Sequence, residues 1–252
     1  MPEPRYLPMR NLRFDEARLR VFADGGVQGT IGTLSEKALH KIIKFYIEPN
    51  PEYHEIKHLS YVADIKRENR IFEIQTRAVY RLLPKLNAFL TDSHVTVVLP
   101  VITEKSISLL DKTTGELSST KKSTKKENVD TALSSLYGLR SLLCRDGISV
   151  KLLFMRGIDY RVAPVGENKR QKNKKLAFIP SEITEEIDLF LVEDYRNILP
   201  NTLPPEFTVK EFAKLVGCRR EDAYGALSTL SHIGVLTKCG RRSRELLYEI
   251  SD

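Results

Sequence analysis

The sequence has few cysteines and no long apolar run. Its three cysteines, Cys144, Cys218 and Cys239, are far apart and odd in number. That pattern argues against a disulfide framework or a zinc site and favours a reducing cytoplasm. No run of 18 or more apolar residues is present, so no segment could span a membrane. The first residues also lack the apolar core of a signal peptide. We therefore expect a cytoplasmic globular protein that does not enter a membrane.

Acidic residues are absent from two strongly basic runs. The first run consists of Lys121, Lys122, Lys125 and Lys126, and the second of Lys169, Arg170, Lys172, Lys174 and Lys175. The 252 residues carry 40 basic and 33 acidic side chains. Without these nine cations the balance would be slightly negative, so the basicity is local. Such segments suit loops that meet a polyanion, although a solvated hairpin tip and a solvated linker fit them equally well.

Hydrophobic spacing and capping signals predict alternating helices and strands in the first part of the chain. Thr33-Leu34-Ser35-Glu36 is a capping box that opens a helix. The predicted elements are, in order, a helix over 34–47, strands over 53–66 and 70–76, a helix over 79–90 and a strand over 95–101. Pro84 should kink the second helix or move its start later. This order indicates an α/β domain with a mixed sheet.

The later elements are predicted in the same way. We expect a hairpin around 111–115, a helix over 129–144, a strand over 148–155, a linker over 164–175 and a helix over 181–199. No internal repeat is evident. The resulting division is an α/β domain at 1–166, a basic linker at 167–180 and a C-terminal domain at 181–252.

The C-terminal part contains a second capping box, Thr208-Val209-Lys210-Glu211, which opens a short helix. Gly217 is suited to end that helix, and a longer helix begins at Arg219 or Arg220. Two short strands joined by a turn follow. Helix, short turn, longer helix and hairpin resemble the winged helix-turn-helix family over about residues 180–252, if the 181–199 helix is its first.

The winged-helix resemblance implies DNA contact through the longer helix and the wing. The implied contact residues are Arg219, Arg220, Tyr224 and Ser228 on the helix and Arg241, Arg242 and Arg244 on the wing. Gly225 and the acids Glu221 and Asp222 depart from the pattern of DNA-reading members. A structural or protein-binding role is therefore the alternative.

Polar side chains interrupt the two apolar strands at Asp64 and at Glu73-Ile74-Gln75. Glu73 and Gln75 share one strand face because alternate side chains do. A hairpin of the two strands would bring Asp64 near Glu73. Two converging carboxylates repel one another unless a cation lies between them, and oxygen ligands of this kind suit Mg²⁺.

This pattern resembles the restriction-endonuclease-like, PD-(D/E)XK nuclease superfamily, whose core runs helix, three strands, helix, strand. Asp64 would be the motif aspartate and Glu73 the second acid, whereas Gln75 replaces the usual lysine and Ala63 the usual proline. Glu36 is the candidate for an additional acid on the first helix. The resemblance implies that Asp64, Glu73 and the Ile74 carbonyl hold Mg²⁺ or Mn²⁺ and that Gln75 orients the attacking water.

Ordinary structural roles remain open for the same residues. Asp64 could cap a turn or pair with Lys66 or Arg77 across strands. Glu73 could be an exposed residue of an edge strand. Lys66 or Arg77 could instead neutralise charge at a nuclease site.

The leading hypothesis is a prokaryotic, Mg²⁺-dependent DNA endonuclease positioned by a C-terminal winged helix, acting in restriction, defence or mobile-element processing. The alternatives are a non-catalytic DNA-binding regulator or assembly protein with a degenerate nuclease-like domain, and a protein-binding scaffold. DNA is the expected partner. A homodimer or a place in a larger DNA-processing assembly fits the same hypothesis.

Overall fold

The computed structural model describes residues 9–24, 38–111, 114–162 and 173–251. Its architecture is mixed α/β, as predicted, with a mixed sheet of seven strands. The strands are β1 (His54–His58), β2 (Tyr61–Arg67), β3 (Arg70–Ile74), β4 (His94–Leu110), β5 (Lys121–Lys122), β6 (Ile148–Val162) and β7 (Lys174–Leu189). Their order in the sheet is β1-β2-β3-β4-β6-β7, and β5 pairs with β4.

Two compact units make up the chain. The first comprises Met1–His54, Ile102–Lys126 and Leu153–Glu185, and the second comprises Glu55–Val101, Glu127–Leu152 and Glu186–Asp252. The long strands β4, β6 and β7 contribute residues to both units. These units do not coincide with the predicted division at 1–166, 167–180 and 181–252. Residues 167–172 of the predicted linker lie outside the described residues, whereas its remainder from Lys174 onward is the beginning of strand β7 and not a linker.

Helices α1 (Met9–Asp24) and α2 (Ala38–Ile47) belong to the first unit. The predicted helix over 34–47 is present from Ala38 onward, and its capping box at 33–36 lies outside the described residues. The two helices pack through Phe14 and Tyr46, whose rings meet edge to face with centroids 5.8 Å apart. Burial of such aromatic and aliphatic side chains is the main favourable term that holds these helices together.

The second unit begins with a three-stranded meander. The predicted strand over 53–66 is two strands, β1 and β2, because the chain turns at Leu59, where φ is 51°. Strands β2 and β3 are antiparallel and join through the predicted turn at Glu68-Asn69. Helix α3 (Leu83–Phe89) follows β3, and β4 then lies parallel to β3.

Pro84 moves the start of the second predicted helix, as its ring requires. It occupies the first turn of α3, where a missing N–H is tolerated. The preceding residues Val79–Leu82 form a separate 3-10 helix, which we call the Tyr80 segment. This confirms the expectation that the helix starts later than Val79.

The predicted helix over 181–199 is wrong. Strand β7 continues to Leu189, and only Val192–Asn197 (α5) is helical. Ile183 and Ile187 are four residues apart, a spacing that fits a period of 2 as well as one of 3.6. Their β-branched side chains favour the strand. The helix that the winged-helix resemblance requires over 181–199 is therefore absent. We call the remaining elements of that resemblance, over 207–250, the C-terminal module.

The predicted helix over 129–144 is shorter in the structure. Helix α4 is Val129–Ser135, and a 3-10 helix over Leu136–Leu139 follows; we call the latter the Tyr137 segment. Gly138 lies directly against Tyr80, and a Cβ at Gly138 would overlap the Cα and Cβ of Tyr80. Glycine therefore lets the Tyr137 segment and the Tyr80 segment make backbone contact.

The C-terminal elements follow the predicted order. They are β8 (Phe207–Thr208), α6 (Val209–Val216), α7 (Arg220–His232), β9 (Leu236–Arg242) and β10 (Glu245–Ile250). The predicted capping box is present, since Thr208 Oγ1 accepts from the Glu211 amide and Glu211 Oε2 accepts from the Thr208 amide at 2.8 Å. Gly217 ends α6 with φ at 68°, as predicted. Strand β10 pairs with both β8 and β9.

Helix α7 packs against α4, within the second unit. A Cβ at Gly225 would overlap the Ser134 hydroxyl, so the two helices approach closely at this glycine. One turn later, Thr229 Oγ1 donates to the Leu133 carbonyl at 3.1 Å. Gly225 therefore lies on the face of α7 that packs against α4. It does not affect which side chains the opposite, solvent-exposed face presents.

Cys144, Cys218 and Cys239 are all free thiols. Burial raises the pKa of the Cys218 thiol to about 11 and raises that of Cys144. The Cys218 thiol therefore stays protonated at neutral pH. None of the described helices is long and apolar enough to cross a membrane.

Candidate carboxylate site and nucleic-acid interface

The acids Asp64 and Glu73 lie opposite one another on neighbouring strands. The β2–β3 ladder pairs Ile65 with Phe72, and the same register places Asp64 opposite Glu73 on one face of the sheet. The Asp64 amide donates to Glu73 Oε1 at 3.2 Å, and the Ile74 amide donates to Asp64 Oδ2 at 2.8 Å. The fold therefore brings together the three residues predicted as metal ligands, Asp64, Glu73 and Ile74.

Lys85 completes this cluster and was not among the predicted site residues. It lies on α3, whose Leu86 and Phe89 side chains are buried. The Phe89 ring packs against Tyr61 of β2. The Lys85 Nζ is 2.5 Å from Glu73 Oε2 and 5.6 Å from the centroid of the Phe89 ring. A lysine in a helix twelve residues after Glu73 carries no motif signal, because its partner is decided by how the helix packs.

The environment of Glu73 sets its charge state. The side chain is only 1% exposed. Burial, and then the neighbouring charge of Asp64, raise the pKa of Glu73 from 4.5 to about 7, although Lys85 and the Asp64 amide oppose this rise. The carboxyl group therefore changes charge near neutral pH. Perturbed carboxyl groups with a specific charged partner are frequent at functional sites.

The Gln75 side chain does not join the cluster. The side-chain amide of Gln75 donates to the backbone carbonyl of Arg77, and its own backbone amide donates to the Val98 carbonyl at 3.0 Å. Glu36 lies outside the described residues. The Lys66 ammonium donates to the Glu68 carbonyl in the turn. Lys85 is thus a cation that contacts Glu73.

Two carboxylates are the ligands that the cluster offers to a metal ion. Within the described ranges, no group of three or more His, Cys, Asp or Glu side chains could hold a metal. Mg²⁺ commonly keeps several waters and binds through one or two carboxylates. A divalent cation between Asp64 and Glu73 would also relieve the repulsion that helps to raise the pKa of Glu73. The pair therefore fits the donor set of Mg²⁺ or Mn²⁺.

Three of the predicted DNA-contacting arginines form ion pairs within the C-terminal module. The pairs are Arg219 with Asp222 at 2.7 Å, Arg220 with Glu245 at 2.6 Å and Arg242 with Glu211 at 2.8 Å. The arginine side chains are more than half exposed. Exposed pairs of this kind contribute only about 0–1 kcal/mol. These arginines are therefore partly neutralised, but a phosphate could replace their acidic partners at small cost.

The remaining predicted contact residues are on the surface of the same module. Arg241 and Arg244 are exposed, and neither has an ion-pair partner in the part of the chain that is described. Arg244 lies in the turn between β9 and β10, whereas Arg241 lies on β9 itself. Tyr224 is exposed and Ser228 is half-buried one turn later on α7. All four can be reached from solvent.

The basic runs differ from simple loops. Lys121 and Lys122 form β5, and Lys122 pairs with Glu104 at 3.0 Å. Lys125 and Lys126 are exposed beyond that strand. In the second run, Lys174 begins β7, whereas residues 169–172 lie outside the described residues. The first run is thus partly a sheet edge, where charged side chains also discourage pairing with other chains.

Comparison with other proteins gives two matches. A family described as "Domain of unknown function (DUF8091)" matches residues 37–189. A protein of Treponema pallidum (strain Nichols), named "Uncharacterized protein", is 27% identical over 230 residues, which cover 87% of this chain and 87% of that protein. No solved structure matches significantly. The family match includes Asp64, Glu73 and Lys85 and ends where β7 ends.

Proposed function

The chain belongs to the family described as a domain of unknown function (DUF8091), and we propose that it is a divalent-metal-dependent DNA nuclease. One observation carries the proposal. Asp64 and Glu73 lie side by side on adjacent strands, and the Lys85 ammonium contacts Glu73 from the following helix. Two acids that can hold a metal ion, with a lysine beside them, are groups that metal-dependent phosphodiester hydrolysis can use.

The order of elements supports this proposal. Helix α2, strands β1 to β3, helix α3 and strand β4 repeat the order helix, three strands, helix, strand of the PD-(D/E)XK core. Strand β4 is parallel to β3, which a connection through a helix such as α3 favours. The two acids lie on the strands on which that motif carries them. Fold likeness alone does not assign an activity, so the activity is proposed from the geometry of Asp64, Glu73 and Lys85.

Lys85 fills the role for which Gln75 is unsuited. An amide cannot carry positive charge, whereas an ammonium can stabilise the negative charge that develops on a phosphate under attack. Lys85 also favours the ionised form of Glu73, since it lowers the pKa that burial and Asp64 raise. The lysine of the motif would thus come from α3 instead of from β3.

Asp64 and Glu73 would hold the metal ion together with the Ile74 carbonyl. When bound, the ion lowers the pKa of a water molecule and neutralises charge on the leaving oxygen. Glu73 must be ionised to bind it, so this site would work best at and above a pH of about 7. The Asp64 side chain is held in place by the Ile74 amide, which prepares the pair before the ion arrives.

The C-terminal module would position the DNA. Its order of α6, turn, α7 and the β9–β10 hairpin resembles that of a winged helix-turn-helix, and α4 or α5 would take the place of the first helix. The exposed Arg241 and Arg244 suit phosphate contact from the wing. With acids beside several of its arginines, the module is suited to hold DNA more than to read its sequence. Its free cysteines suit a cytoplasmic location.

Plasmid cleavage tests the proposal. Supercoiled DNA is incubated with the full chain and Mg²⁺ or Mn²⁺. Asp64→Asn, Glu73→Gln and Lys85→Met are each expected to slow cleavage by about 100-fold or more. Glu68→Gln is the matched control, because Glu68 is an exposed acid in the turn between the same two strands. Parent-like cleavage by Asp64→Asn and Glu73→Gln would show that the site is wrongly assigned.

A non-catalytic DNA-binding protein is the second candidate. It is favoured by Gln75, which replaces the motif lysine and turns its amide to the Arg77 carbonyl. This candidate predicts that the full chain binds DNA and leaves the plasmid intact with either metal ion. The same assay, combined with a gel shift, therefore separates the two functions.

A further inference from the structure

A cleft of about 520 Å³ lies beside α7, within the second unit. Its walls come from α7, from the Tyr137 segment with the adjoining Arg140, and from the beginning of β9. Tyr224, Ser228 and His232 are four residues apart and so share one face of α7. None of the carboxylate-site residues lines this cleft, so it is a separate feature.

The lining of the cleft is basic or neutral. Arg140 and Lys238 are cations, His232 can become one, and no Asp or Glu side chain is among the lining residues. The Ser231 hydroxyl, also at the cleft, is buried and has no hydrogen-bond partner among the described residues. A buried hydroxyl without a partner costs free energy. Cations and an unpaired polar group together suit an anionic occupant that also forms hydrogen bonds.

Two exposed tyrosines give the cleft a stacking surface. Tyr137 is 41% exposed and Tyr224 is 56% exposed. The Arg140 guanidinium lies over the Tyr137 ring, 4.0 Å from its centroid, which holds the ring in place. Aromatic rings beside cations are the means by which proteins bind single-stranded nucleic acid, since each base can stack on a ring while the phosphates meet positive charge.

The cleft connects to the carboxylate site through packed elements. Gly138 of the Tyr137 segment lies against Tyr80, and the Tyr80 segment leads directly into α3, which carries Lys85. Tyr80 is itself exposed, with the Arg81 guanidinium 6.0 Å from its ring centroid. Tyr224, Tyr137 and Tyr80 therefore lie on three elements of which each contacts the next. The last of them, the Tyr80 segment, leads into the helix that carries Lys85.

We infer that this cleft binds a single strand of DNA, with bases stacked on Tyr224 and Tyr137 and the strand continuing along Tyr80 toward Glu73. Bases of an intact duplex are stacked on one another, so the cleft selects unpaired strands. The path toward Glu73 rests on the proposed nuclease function, whereas binding in the cleft requires no catalysis.

The test measures binding of a short fluorescein-labelled oligo(dT) to the full chain by anisotropy. EDTA is present, so that no metal-dependent cleavage can occur. Tyr137→Leu and Tyr224→Leu keep apolar volume and remove the stacking ring. Phe190→Leu is the matched control, because Phe190 is an exposed aromatic residue outside the cleft. A blunt duplex of the same length is measured in parallel.

Each tyrosine variant is expected to bind oligo(dT) about fivefold more weakly or worse. Its duplex affinity, and both affinities of Phe190→Leu, are expected to stay within about twofold of the parent. Arg140→Gln is expected to weaken oligo(dT) binding and to lower the salt slope by about one. Tyrosine variants that bind oligo(dT) as tightly as Phe190→Leu does, or that lose duplex affinity equally, would overturn the inference.

Failure of the nuclease proposal would look different. In that case either the parent does not cleave the plasmid, or Asp64→Asn and Glu73→Gln cleave it as well as the parent does. The tyrosine variants still lose oligo(dT) affinity. Conversely, the tyrosine variants could bind oligo(dT) as the parent does while Asp64→Asn no longer cleaves the plasmid. That result would overturn the inference about the cleft and leave the nuclease proposal standing.

Discussion

Two kinds of ion pair occur in the second unit, and they differ in burial. The Glu73 side chain is 1% exposed and the Lys85 side chain is 19% exposed. On the C-terminal module, by contrast, the Arg219 side chain is 73% exposed and the Arg220 side chain 65% exposed in their pairs with Asp222 and Glu245. The same chemical pairing thus occurs both inside the fold and at its surface.

The difference in burial decides what each pair can do. An exposed arginine can exchange its carboxylate for a DNA phosphate because little free energy is lost. A buried carboxylate cannot lose its cation unless it is protonated or another cation replaces the first. Glu73 is paired with Lys85 in the structure and loses its charge when it is protonated. Under the proposed function, a metal ion would take the place of Lys85. The buried pair is therefore the candidate site, and under the proposed function the exposed pairs would form the surface that binds DNA.

The largest expected effect is on stability above a pH of about 7, where Glu73 is ionised. Lys85→Met should lower the free energy of unfolding by about 3 kcal/mol, because it leaves a buried charge without a partner. Adding Glu73→Gln should recover most of this loss. Arg220→Gln, at an exposed pair, should cost less than about 1 kcal/mol. Urea unfolding measures all four proteins, and equal costs for Lys85→Met and Arg220→Gln would break the comparison.

The second effect is a dependence of stability on pH. The folded protein raises the pKa of Glu73 from 4.5 to about 7, so it binds this proton more tightly than the unfolded chain does. The contribution is complete below pH 4.5 and is lost as pH rises to about 7. Its size is at most about 3 kcal/mol. Glu73→Gln, measured by thermal unfolding without metal ions, should lack this decline.

The comparison of the parent with Glu73→Gln also controls for other carboxyl groups that titrate in the same pH range. Burial also raises the pKa of Asp130, to about 6, and this contribution remains in both proteins. The difference between the parent and Glu73→Gln therefore isolates Glu73. Identical pH profiles for the two proteins would contradict the account of the buried pair.

A smaller effect concerns how the C-terminal module is held. Gly225→Ala should lower the free energy of unfolding by about 1 kcal/mol, because a Cβ there would overlap the Ser134 hydroxyl oxygen and lie 3.0 Å from the Ser134 Cβ, so Ser134 must move. Gly240→Ala is the control, since a Cβ at Gly240 meets nothing within 4 Å. Thermal unfolding compares the two, and equal stability of both variants would show that α7 does not depend on this close approach.

The smallest effect is on docking through exposed cations. Arg241→Gln combined with Arg244→Gln should change the free energy of unfolding by less than about 0.5 kcal/mol. The slope of log duplex affinity against log salt should fall by about 2, because two phosphate contacts are removed. Anisotropy over a salt series measures the slope. An unchanged slope would mean that the wing does not contact phosphate.

The sequence predicted the acids of the site and much of the fold around them. Asp64 and Glu73 stood out because each interrupts an apolar strand, and strand alternation together with the turn at Glu68-Asn69 predicted that they meet. The capping box at 208–211 and Gly217 likewise predicted α6 and the start of α7, because these signals lie within a few residues of the helix ends. Local hydrogen-bonding chemistry can be read from neighbouring residues alone.

The features that the sequence did not predict depend on tertiary packing. Lys85 joins the site only because α3 packs on the sheet at one particular rotation. Ile183 and Ile187 fit a helix and a strand equally well, and pairing in the sheet decides for β7. The role of Gly225 depends on Ser134, 91 positions earlier in the chain. No local pattern contains these partners, so sequence reasoning could not supply them.

The most direct test of the central claim is calorimetric titration of the full chain with Mn²⁺. The account predicts one site per chain, with affinity that rises as pH passes about 7 because Glu73 must lose its proton. Binding should disappear in Asp64→Asn and in Glu73→Gln and should persist in Glu68→Gln. Binding that is equal in all four proteins, or absent from the parent at every pH, would contradict the claim that these two acids form a metal-dependent site.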